Sequence, residues 1–403
     1  MQQDTNTQGP LAGIRVLELG TMIAGPFSAT LLADFGAEVI KVEQPGVGDP
    51  MRNMSPFVKD ESLWWNVEGR GKRSITVDLH VEDGQELVRD LAVHCDLLVE
   101  NFKPGTMARW GLGFERLHDL NRRLVMMSVS GYGQTGPYAG KRSYDRIAQA
   151  FAGMLNATGF PDRPPVRPGF SIADFGTAVF GAFAAMMALY HRDARGGQGQ
   201  HIDVAMYEAM FRLTESMAIS YDQLGAVRQR RGNLNAGAAP GDHFLTADDR
   251  YLVLTISNNA LFGRLCEVMG QPDLPRDPRF ATHAERAAYL PEINGIVGDW
   301  LRTLTAQQAG ELLDAAQLPY SLIYNIADIY ADPHYASRGA IATVDHPRLG
   351  KLRMQGIVPR LLGTPAPALR PAPTLGQDTR DVLTSLLGMT QAQIEQLYAQ
   401  KII

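Results

Sequence analysis

The first 205 residues alternate between short apolar runs and helix-like segments, and this alternation restricts the possible folds more than any other feature. The runs have the length and aliphatic content of buried strands: IRVLELG (14–20), EVIKVE (38–43), RSITVDL (73–79), DLLVEN (96–101) and LVMMSVSGYG (124–133). Helix-like segments such as 25–37 and 82–94 separate most of them. Strands that alternate with helices predict an α/β fold, a mostly parallel, doubly wound sheet with helices on both faces.

The stretch 204–224 is predicted to form one long helix, and the pattern changes after it, near residue 225. The stretch 225–242, GAVRQRRGNLNAGAAPGD, is basic and rich in glycine, which is typical of a hinge or linker. A strand pair with a turn at 248–250 follows, and helical segments occupy 260–315. This part of the chain is predicted to form a second, smaller domain.

Charge and cysteine content exclude several classes of protein. The 403 residues carry a net charge of −5, whereas nucleic-acid binding usually needs a basic excess. Cys95 and Cys266 are far apart in apolar segments, so neither a disulfide framework nor zinc spacing is present. The nine histidines form no HxH or HxxxH pair, and no metal site is predicted.

The location of the protein follows from its apolar segments. The stretch 1–13 is polar and has no apolar signal core. The longest apolar stretch, about 175–190, contains glycines and is interpreted as a buried helix too short to span a membrane. We expect a cytoplasmic protein without a membrane partner.

A glycine motif in the chain is misleading. GYGQTG (131–136) fits the dinucleotide pattern GxGxxG and follows a predicted strand. The fingerprint also needs a helix that opens at the third glycine and a later acidic residue, but Pro137 follows directly. Nicotinamide or flavin binding is therefore not expected, and the segment is interpreted as a loop near a substrate.

Asp174 is the single charged residue in GFSIADFGTAVFGAF (169–183). Aspartate suits the start of a helix, where it can cap the backbone amides. A carboxylate beside apolar walls is also poorly solvated and reactive, as a nucleophile or general base needs. Gly176 and Gly181 would let a ligand or another backbone approach. These residues alone leave both interpretations open.

Several stretches together resemble the class III CoA-transferase family, also called the carnitine dehydratase/bile-acid-inducible protein F (CaiB/BaiF) family. The likeness runs in order from about residue 11 to about 385, and the stretches that carry it are AGPFSATLLADFGAEVIKVEQPGVGDPMR, GKRSITVDLHVEDGQELVRDLAVHCDLLVENFKPGTMARWGLGFERL, SVSGYGQTGPYAGKRSYD, GGQGQHIDVAMYEA and PAPTLGQDT. The resemblance implies a Rossmann-like large domain built from 1–224 and 326–403, with a small α+β domain inserted at 225–325. It also implies an interlocked homodimer.

The resemblance assigns chemistry to Asp174. The family's catalytic aspartate matches this residue, which would attack an acyl-CoA thioester and pass through an aspartyl anhydride and an aspartyl-CoA thioester. Both intermediates stay activated, whereas a serine nucleophile would give an ordinary ester. No permanently bound cofactor is implied, because coenzyme A and acyl-CoA are substrates.

Family positions that contact CoA fall on four segments of this chain. They match Ile23, Ala24, Val77, Asp78, Leu79, His80, Asn101, Phe102, Lys103, Arg109, Arg142, Ser143, Tyr144 and Asp145. Lys103 and Arg109 suit phosphates, and Phe102 suits adenine or pantetheine. Gln44 stands where some members carry a CoA-binding arginine, and Arg52 or Lys72 are candidates to compensate.

The predicted function is CoA transfer from an acyl-CoA, with succinyl-CoA as the favoured donor, to a small di- or hydroxycarboxylic acid. Carnitine-like, aromatic and bile acids stay open as acceptors. A 2-methylacyl-CoA racemase is an alternative, but it would need a histidine base where this chain has Tyr144. A non-catalytic CoA-binding protein is the other alternative, and the retained Asp174 argues against it.

Overall fold

The computed structural model describes residues 8–234 and 237–403. The chain divides into two compact units. The first comprises Met1–Met154, Pro168–Ala226 and Ala336–Ile403, and the second Leu155–Arg167 and Val227–Tyr335. No sequence pattern indicated that 155–167 groups with the second unit. The domain boundaries at 225 and 325 stay a prediction.

The strands agree closely with the apolar runs of the sequence. They are β1 (Arg15–Glu18), β2 (Glu38–Glu43), β3 (Phe57–Val58), β4 (Glu61–Ser62), β5 (Arg73–Thr76), β6 (Leu97–Glu100), β7 (Val125–Ser130), β8 (His201–Ala205), β9 (Gly241–Leu245), β10 (Tyr251–Thr255), β11 (Tyr320–Leu322), β12 (Ile341–His346) and β13 (Gly350–Gln355).

The helices of the first half of the chain lie mainly between these strands. They are α1 (Pro26–Asp34), α2 (Leu63–Glu68), α3 (Glu82–Val93), α4 (Thr106–Arg109), α5 (Phe114–Leu120), α6 (Asp145–Phe151), α7 (Met154–Ala157), α8 (Ile172–Ala194), α9 (Met206–Arg212) and α10 (Met217–Leu224). The later helices are α11 (Asn259–Val268), α12 (His283–Ala288), α13 (Leu290–Leu301), α14 (Ala306–Ala315), α15 (Ile326–Ala331), α16 (Pro333–Ser337), α17 (Thr379–Leu387) and α18 (Gln391–Ala399).

The first unit is built on a six-stranded sheet in which every neighbouring pair is parallel. The strand order is β5-β2-β1-β6-β7-β8. Counted along the chain, this is the order 3-2-1-4-5-6 of nucleotide-binding α/β sheets, in which the connections change direction between the first and fourth strands. The predicted α/β class with a parallel sheet is confirmed, and its switch point lies between β1 and β6.

Both faces of this sheet are buried because successive side chains of a strand point to opposite faces. Leu17 and Ile40 face a core that contains residues of α3, α5, α17 and α18. Val16 and Val39 face the other core, which contains residues of α1, α8 and α9. The sheet is therefore covered by helices on both faces, as the doubly wound prediction requires.

A late segment of the chain covers the open edge of β5. Gly376 and Asp378 donate their backbone N–H groups to Oγ and to the carbonyl oxygen of Ser74 at 2.9 and 2.8 Å. Beyond the strand, the Asp78 N–H donates to the Ile402 carbonyl oxygen at 2.7 Å. Residues from both halves of the sequence thus complete this side of the sheet.

The second unit contains the antiparallel sheet β11-β10-β9 with helices α11 to α15. The turn at 248–250 joins β9 and β10, as the sequence predicts, and Asp249 has a left-handed φ of 56° there. Arg286 is fully buried and donates to the carbonyl oxygens of Ala239 and Phe280 at 2.7 and 2.9 Å. This guanidinium stabilises the turn that leads into β9.

Two helix predictions are wrong. A single long helix was predicted over 204–224, but α9 ends at Arg212 and α10 begins at Met217, with Glu215 at a φ of 55° between them. Helix α8 has 23 residues, so by length and composition it is long enough to cross a membrane. Its prediction as a buried helix is wrong for one face, because Ala173, Ala185 and Leu189 join the core whereas Val179, Phe183 and Met187 are exposed.

Candidate functional site

The loops that leave β1 and β6 are joined at the switch point of the sheet. The side-chain oxygen of Asn101 accepts the Thr21 N–H, and its NH₂ group donates to the Thr21 carbonyl oxygen, both at 2.8 Å. The buried Glu100 carboxylate accepts the Phe102 N–H at 2.7 Å. We call the Asn101–Thr21 pair the Asn101 clamp. It fixes the crevice where open α/β sheets bind their ligands.

A buried ionic network lies beneath the first of these loops. Lys41 Nζ is 2.8 Å from a carboxylate oxygen of Glu18 and 2.8 Å from one of Asp49, and it donates to the Gly20 carbonyl at 2.9 Å. Asp49 in turn accepts the N–H of Met22, whose φ is 65°. A left-handed methionine is unfavourable by itself, so the network supplies interactions that hold this turn.

The two residues suggested to replace an arginine at position 44 both form ion pairs with carboxylates of the protein. Lys72 is buried, 2.7 Å from Glu18 Oε2 and 3.0 Å from the Pro26 carbonyl oxygen. Arg52 binds both carboxylate oxygens of Glu43 at 2.7 Å. Both cations are therefore paired with carboxylates in this structure, and a contact of either one with CoA stays a prediction.

The segment after β5 presents a small polar and aromatic group. Asp78 Oδ1 accepts the N–H of His80 and lies 2.9 Å from its Nδ1. Although burial opposes ionisation, the hydrogen bonds from His80 and Gln44 hold the pKa of Asp78 below its usual value. The rings of His80 and Phe102 both contact Trp110, at 6.0 and 5.1 Å between centroids. No sequence pattern indicated a role for Trp110, which follows Arg109 in the chain.

The other predicted CoA residues divide by exposure. Four of them, Ile23, Ala24, Val77 and Leu79, are buried as whole residues, with at most 8% of their surface exposed. Lys103, Arg109, Arg142 and Tyr144 are exposed, and Tyr144 is 71% exposed. Ser143 is half-buried and lies against Gly131 at the end of β7.

Asp174 lies in the first turn of α8. The next residue, Phe175, packs edge-to-face on Phe27 at 4.8 Å, and Ser28 Oγ donates to the Ala178 carbonyl oxygen at 2.9 Å. These contacts bring the start of α8 beside the start of α1, directly after Ile23 and Ala24. Asp174 therefore lies at the same edge of the sheet as the switch-point crevice.

The Asp174 carboxylate is poorly solvated. Burial, and then the negative charge of Asp145, raise its pKa to about 7. Within residues 8–234 and 237–403 no hydrogen bond to the carboxylate is found. Gly176 faces Met210, and Gly181 faces Met127 and Ser28, so these glycines let α8 pack against the protein and do not make room for a ligand.

Asp145 is buried and is not presented to solvent. One of its oxygens accepts the Ala173 N–H at 2.8 Å, and the other accepts from Gln149 Nε2 at 2.6 Å. In the structure, Asp145 therefore lies next to Asp174. The segments around Ile23, His80 and Asn101 also lie close to one another. Glu100 and Gln149 belong to the same region, and no sequence signal indicated them because their roles depend on tertiary contacts.

The profile of the family described as CoA-transferase family III matches residues 11–379. The chain belongs to CoA-transferase family III. The predicted class of enzyme is therefore confirmed, and this family III enzyme carries its Asp174 carboxylate beside a nucleotide-type crevice.

Relatives and solved structures agree with this assignment. The enzyme is 46% identical to the succinyl-CoA–D-citramalate CoA-transferase of Chloroflexus aurantiacus, over 98% of both chains. It is 39% identical to the β subunit of succinyl-CoA–L-malate CoA-transferase from the same organism, over 99% of both chains. A CaiB/BaiF family protein from Brucella suis has a similar crystal structure, with a TM-score of 0.84 at 33% identity, covering 94% of this chain and 99% of that one.

Proposed function

We propose that this enzyme transfers CoA from succinyl-CoA to a small hydroxylated dicarboxylic acid. The observation that carries the proposal is the similarity, over nearly the whole of both chains, to CoA-transferases named for succinyl-CoA with D-citramalate and with L-malate. Both named acceptors have two carboxylates and a hydroxyl group, so we expect the acceptor of this enzyme to share that chemistry.

Asp174 is the nucleophile in this proposal. Its carboxylate oxygen attacks the thioester carbon, the C–S bond breaks, and CoA leaves as a thiolate from an aspartyl–succinyl anhydride. The thiolate attacks the aspartyl carbonyl carbon and releases succinate. The acceptor carboxylate then displaces CoA from the aspartyl thioester, and the thiolate attacks the new acyl group. Asp174 is regenerated, and no net proton or water is consumed.

The unpaired, partly buried state of Asp174 supports this role. An anion without hydrogen-bond donors is a stronger nucleophile than a hydrated one. Restricted water also protects the anhydride and the thioester from hydrolysis. The sequence alone left two interpretations of Asp174 open, a helix cap and a nucleophile. Its carboxylate lies in the first turn of α8 without capping the helix.

CoA is proposed to bind at the switch point. The backbones of Ile23 and Ala24 lie on one side of the Asn101 clamp and Phe102 on the other. Exposed Lys103, Arg109 and Arg142 supply positive charge for phosphates. The aromatic group of His80, Phe102 and Trp110 offers ring faces for adenine.

A homodimer is also part of the proposal. Helix α8 exposes an apolar stripe at helical spacing, formed by Val179, Phe183 and Met187, and Tyr190 extends it. Large exposed apolar patches of this kind usually mark a protein interface. A second copy of the chain is the partner that the family resemblance implies, and the cytoplasmic location and domain boundaries stay predictions beside it.

Replacing Asn101 by alanine is expected to weaken CoA binding by up to about thirtyfold. Two hydrogen bonds are lost, each worth about 1 kcal/mol, and about 1.4 kcal/mol corresponds to tenfold in affinity. Calorimetric titration with CoA measures the effect. Asn121→Ala is the matched control, since Asn121 also binds backbone carbonyls, including that of Cys95 at 3.0 Å. Equal CoA affinity of Asn101→Ala and wild type would contradict the role of the clamp.

The acceptor is identified by one competition experiment. The enzyme is incubated in deuterated water with succinyl-CoA, a 2-methylacyl-CoA and equal amounts of citramalate, malate, glutarate, carnitine and benzoate. Mass spectrometry then identifies the CoA esters. A new ester of citramalate or malate is the expected result. An ester of only a monocarboxylate, or deuterium in the branched ester without any new ester, would overturn the proposal.

A further inference from the structure

We propose that Asp145, held by Gln149, is a positioning residue that caps helix α8 from outside and so leaves the Asp174 carboxylate free to react. The inference rests on the proposed function, because it assumes that Asp174 is the nucleophile. It assigns Asp145 to the nucleophile and not to direct CoA contact.

The start of α8 has the residues of a self-capping helix but does not use them. Ser171-Ile172-Ala173-Asp174 matches the capping-box pattern, in which the first side chain binds the fourth backbone N–H and the fourth carboxylate binds the first. Ser171 makes no capping hydrogen bond. Among the described residues, four other helices have a complete capping box, for example α12 with Thr282 and Glu285. The start of α8 therefore has the capping-box pattern without its hydrogen bonds, and we look for the cause outside the helix.

Asp145 provides this cause. Its Oδ1 accepts the Ala173 N–H at 2.8 Å and lies 3.4 Å from the Asp174 N–H. The free amides of the first helical turn, which a first-turn carboxylate would otherwise approach, thus already have an anionic acceptor. Asp145 comes from α6, 28 residues earlier in the chain. Asp145 thus takes the place of the Ser171 hydroxyl as the acceptor for these amides, and the Asp174 carboxylate has no backbone partner among the described residues.

Gln149 fixes the second oxygen of Asp145. It is fully buried, and its Nε2 donates to Asp145 Oδ2 at 2.6 Å. Its own Oε1 has no hydrogen-bond partner in the described structure. A buried side-chain amide whose oxygen has no hydrogen-bond donor destabilises the folded protein. Such a cost is tolerated where the NH₂ group of the same amide has a role. The pair holds the Asp145 carboxylate in one orientation.

The charge of Asp145 also acts on Asp174. Burial is the larger cause of the raised pKa of Asp174, and the negative charge of Asp145 is the second. Together they raise this pKa to about 7. A raised pKa makes the carboxylate more nucleophilic once it is ionised, but it is protonated at lower pH. Transfer should therefore be lost as the pH falls through about 7.

Asp145→Asn tests charge and cap separately. The asparagine keeps an oxygen for the Ala173 N–H, and an amide flip lets the unpartnered Gln149 Oε1 accept from its NH₂ group. Asp145→Ala removes both charge and cap. Asp119→Asn, on an exposed residue of α5, is the control for loss of one negative charge. Single-turnover succinyl transfer to the enzyme is followed from pH 5.5 to pH 9 for each variant, together with thermal unfolding and the KM for succinyl-CoA.

The wild type and Asp119→Asn are expected to react about tenfold more slowly at pH 6 than at pH 8. For Asp145→Asn we expect a smaller difference than in the wild type, because loss of the neighbouring charge moves the profile to lower pH. Asp145→Ala should lower kcat about tenfold or more at nearly unchanged KM, because the nucleophile turns towards the free amides.

An unchanged pH profile in Asp145→Asn, with Asp145→Ala lowering only the unfolding temperature, would overturn the inference and leave the proposed function intact. Failure of the proposed function is seen separately, since the wild type would then transfer no CoA, or Asp174→Asn would retain transfer through another nucleophile. A downward shift of the profile in Asp145→Asn at wild-type unfolding temperature supports the positioning role, because a purely structural residue would not move it.

Discussion

Asp174→Asn is expected to lose CoA transfer by about 10³-fold or more, the largest effect on activity that we expect for a single substitution. An amide does not attack a thioester, and neither the anhydride nor the aspartyl-CoA thioester can form. CoA binding should stay within about twofold of wild type, because no predicted phosphate or adenine contact involves this side chain.

Intact-mass spectrometry after mixing with succinyl-CoA separates the possible outcomes. Wild-type enzyme and the control Asp222→Asn, an exposed carboxylate on α10, should both gain the mass of a covalent adduct. Asp174→Asn should gain none. If it forms the adduct and turns over, another residue is the nucleophile. If no version of the protein turns over while all bind CoA, the non-catalytic interpretation is correct.

Lys41→Met is expected to lower the free energy of unfolding by about 3–5 kcal/mol, because removing one partner of a buried ion pair leaves the others uncompensated. Burial alone would lower the pKa of Lys41, but Glu18, Asp49 and Glu43 together raise it above its ordinary value, so the ammonium is charged. The methionine leaves Asp49 without a cation and also frees the Gly20 carbonyl.

Urea unfolding followed by tryptophan fluorescence measures this loss. Lys351→Met is the matched control, since Lys351 is exposed on β13 and its replacement should change the stability by less than about 0.5 kcal/mol. If Lys41→Met proves as stable as this control, the network does not stabilise the loop before Ile23. In that case the left-handed turn at Met22 must be held by other contacts.

The parallel sheet was predictable because each buried strand is a short apolar run that ends in a glycine or polar turn. The ordered family stretches placed Asp174 and the loops after the strands at one edge. The roles of Lys72 and Asp145 were not predictable from the sequence. A charged residue gives the same sequence signal whether its side chain is exposed to solvent or paired with a buried partner. Burial of Lys72 against Glu18 and capping of α8 by Asp145 depend on contacts between distant segments.

The hydrogen bond from Asp78 to Ile402 has a consequence for synthesis on the ribosome. Residues 77–80 are translated early, yet the Asp78 N–H receives its backbone acceptor from a residue made more than 300 positions later. The edge of β5 is likewise covered only when residues 376–379 have been made. During translation the growing chain therefore carries an uncovered strand edge, which is prone to pairing with other chains. The chain can cover this edge only after the late segment has left the exit tunnel.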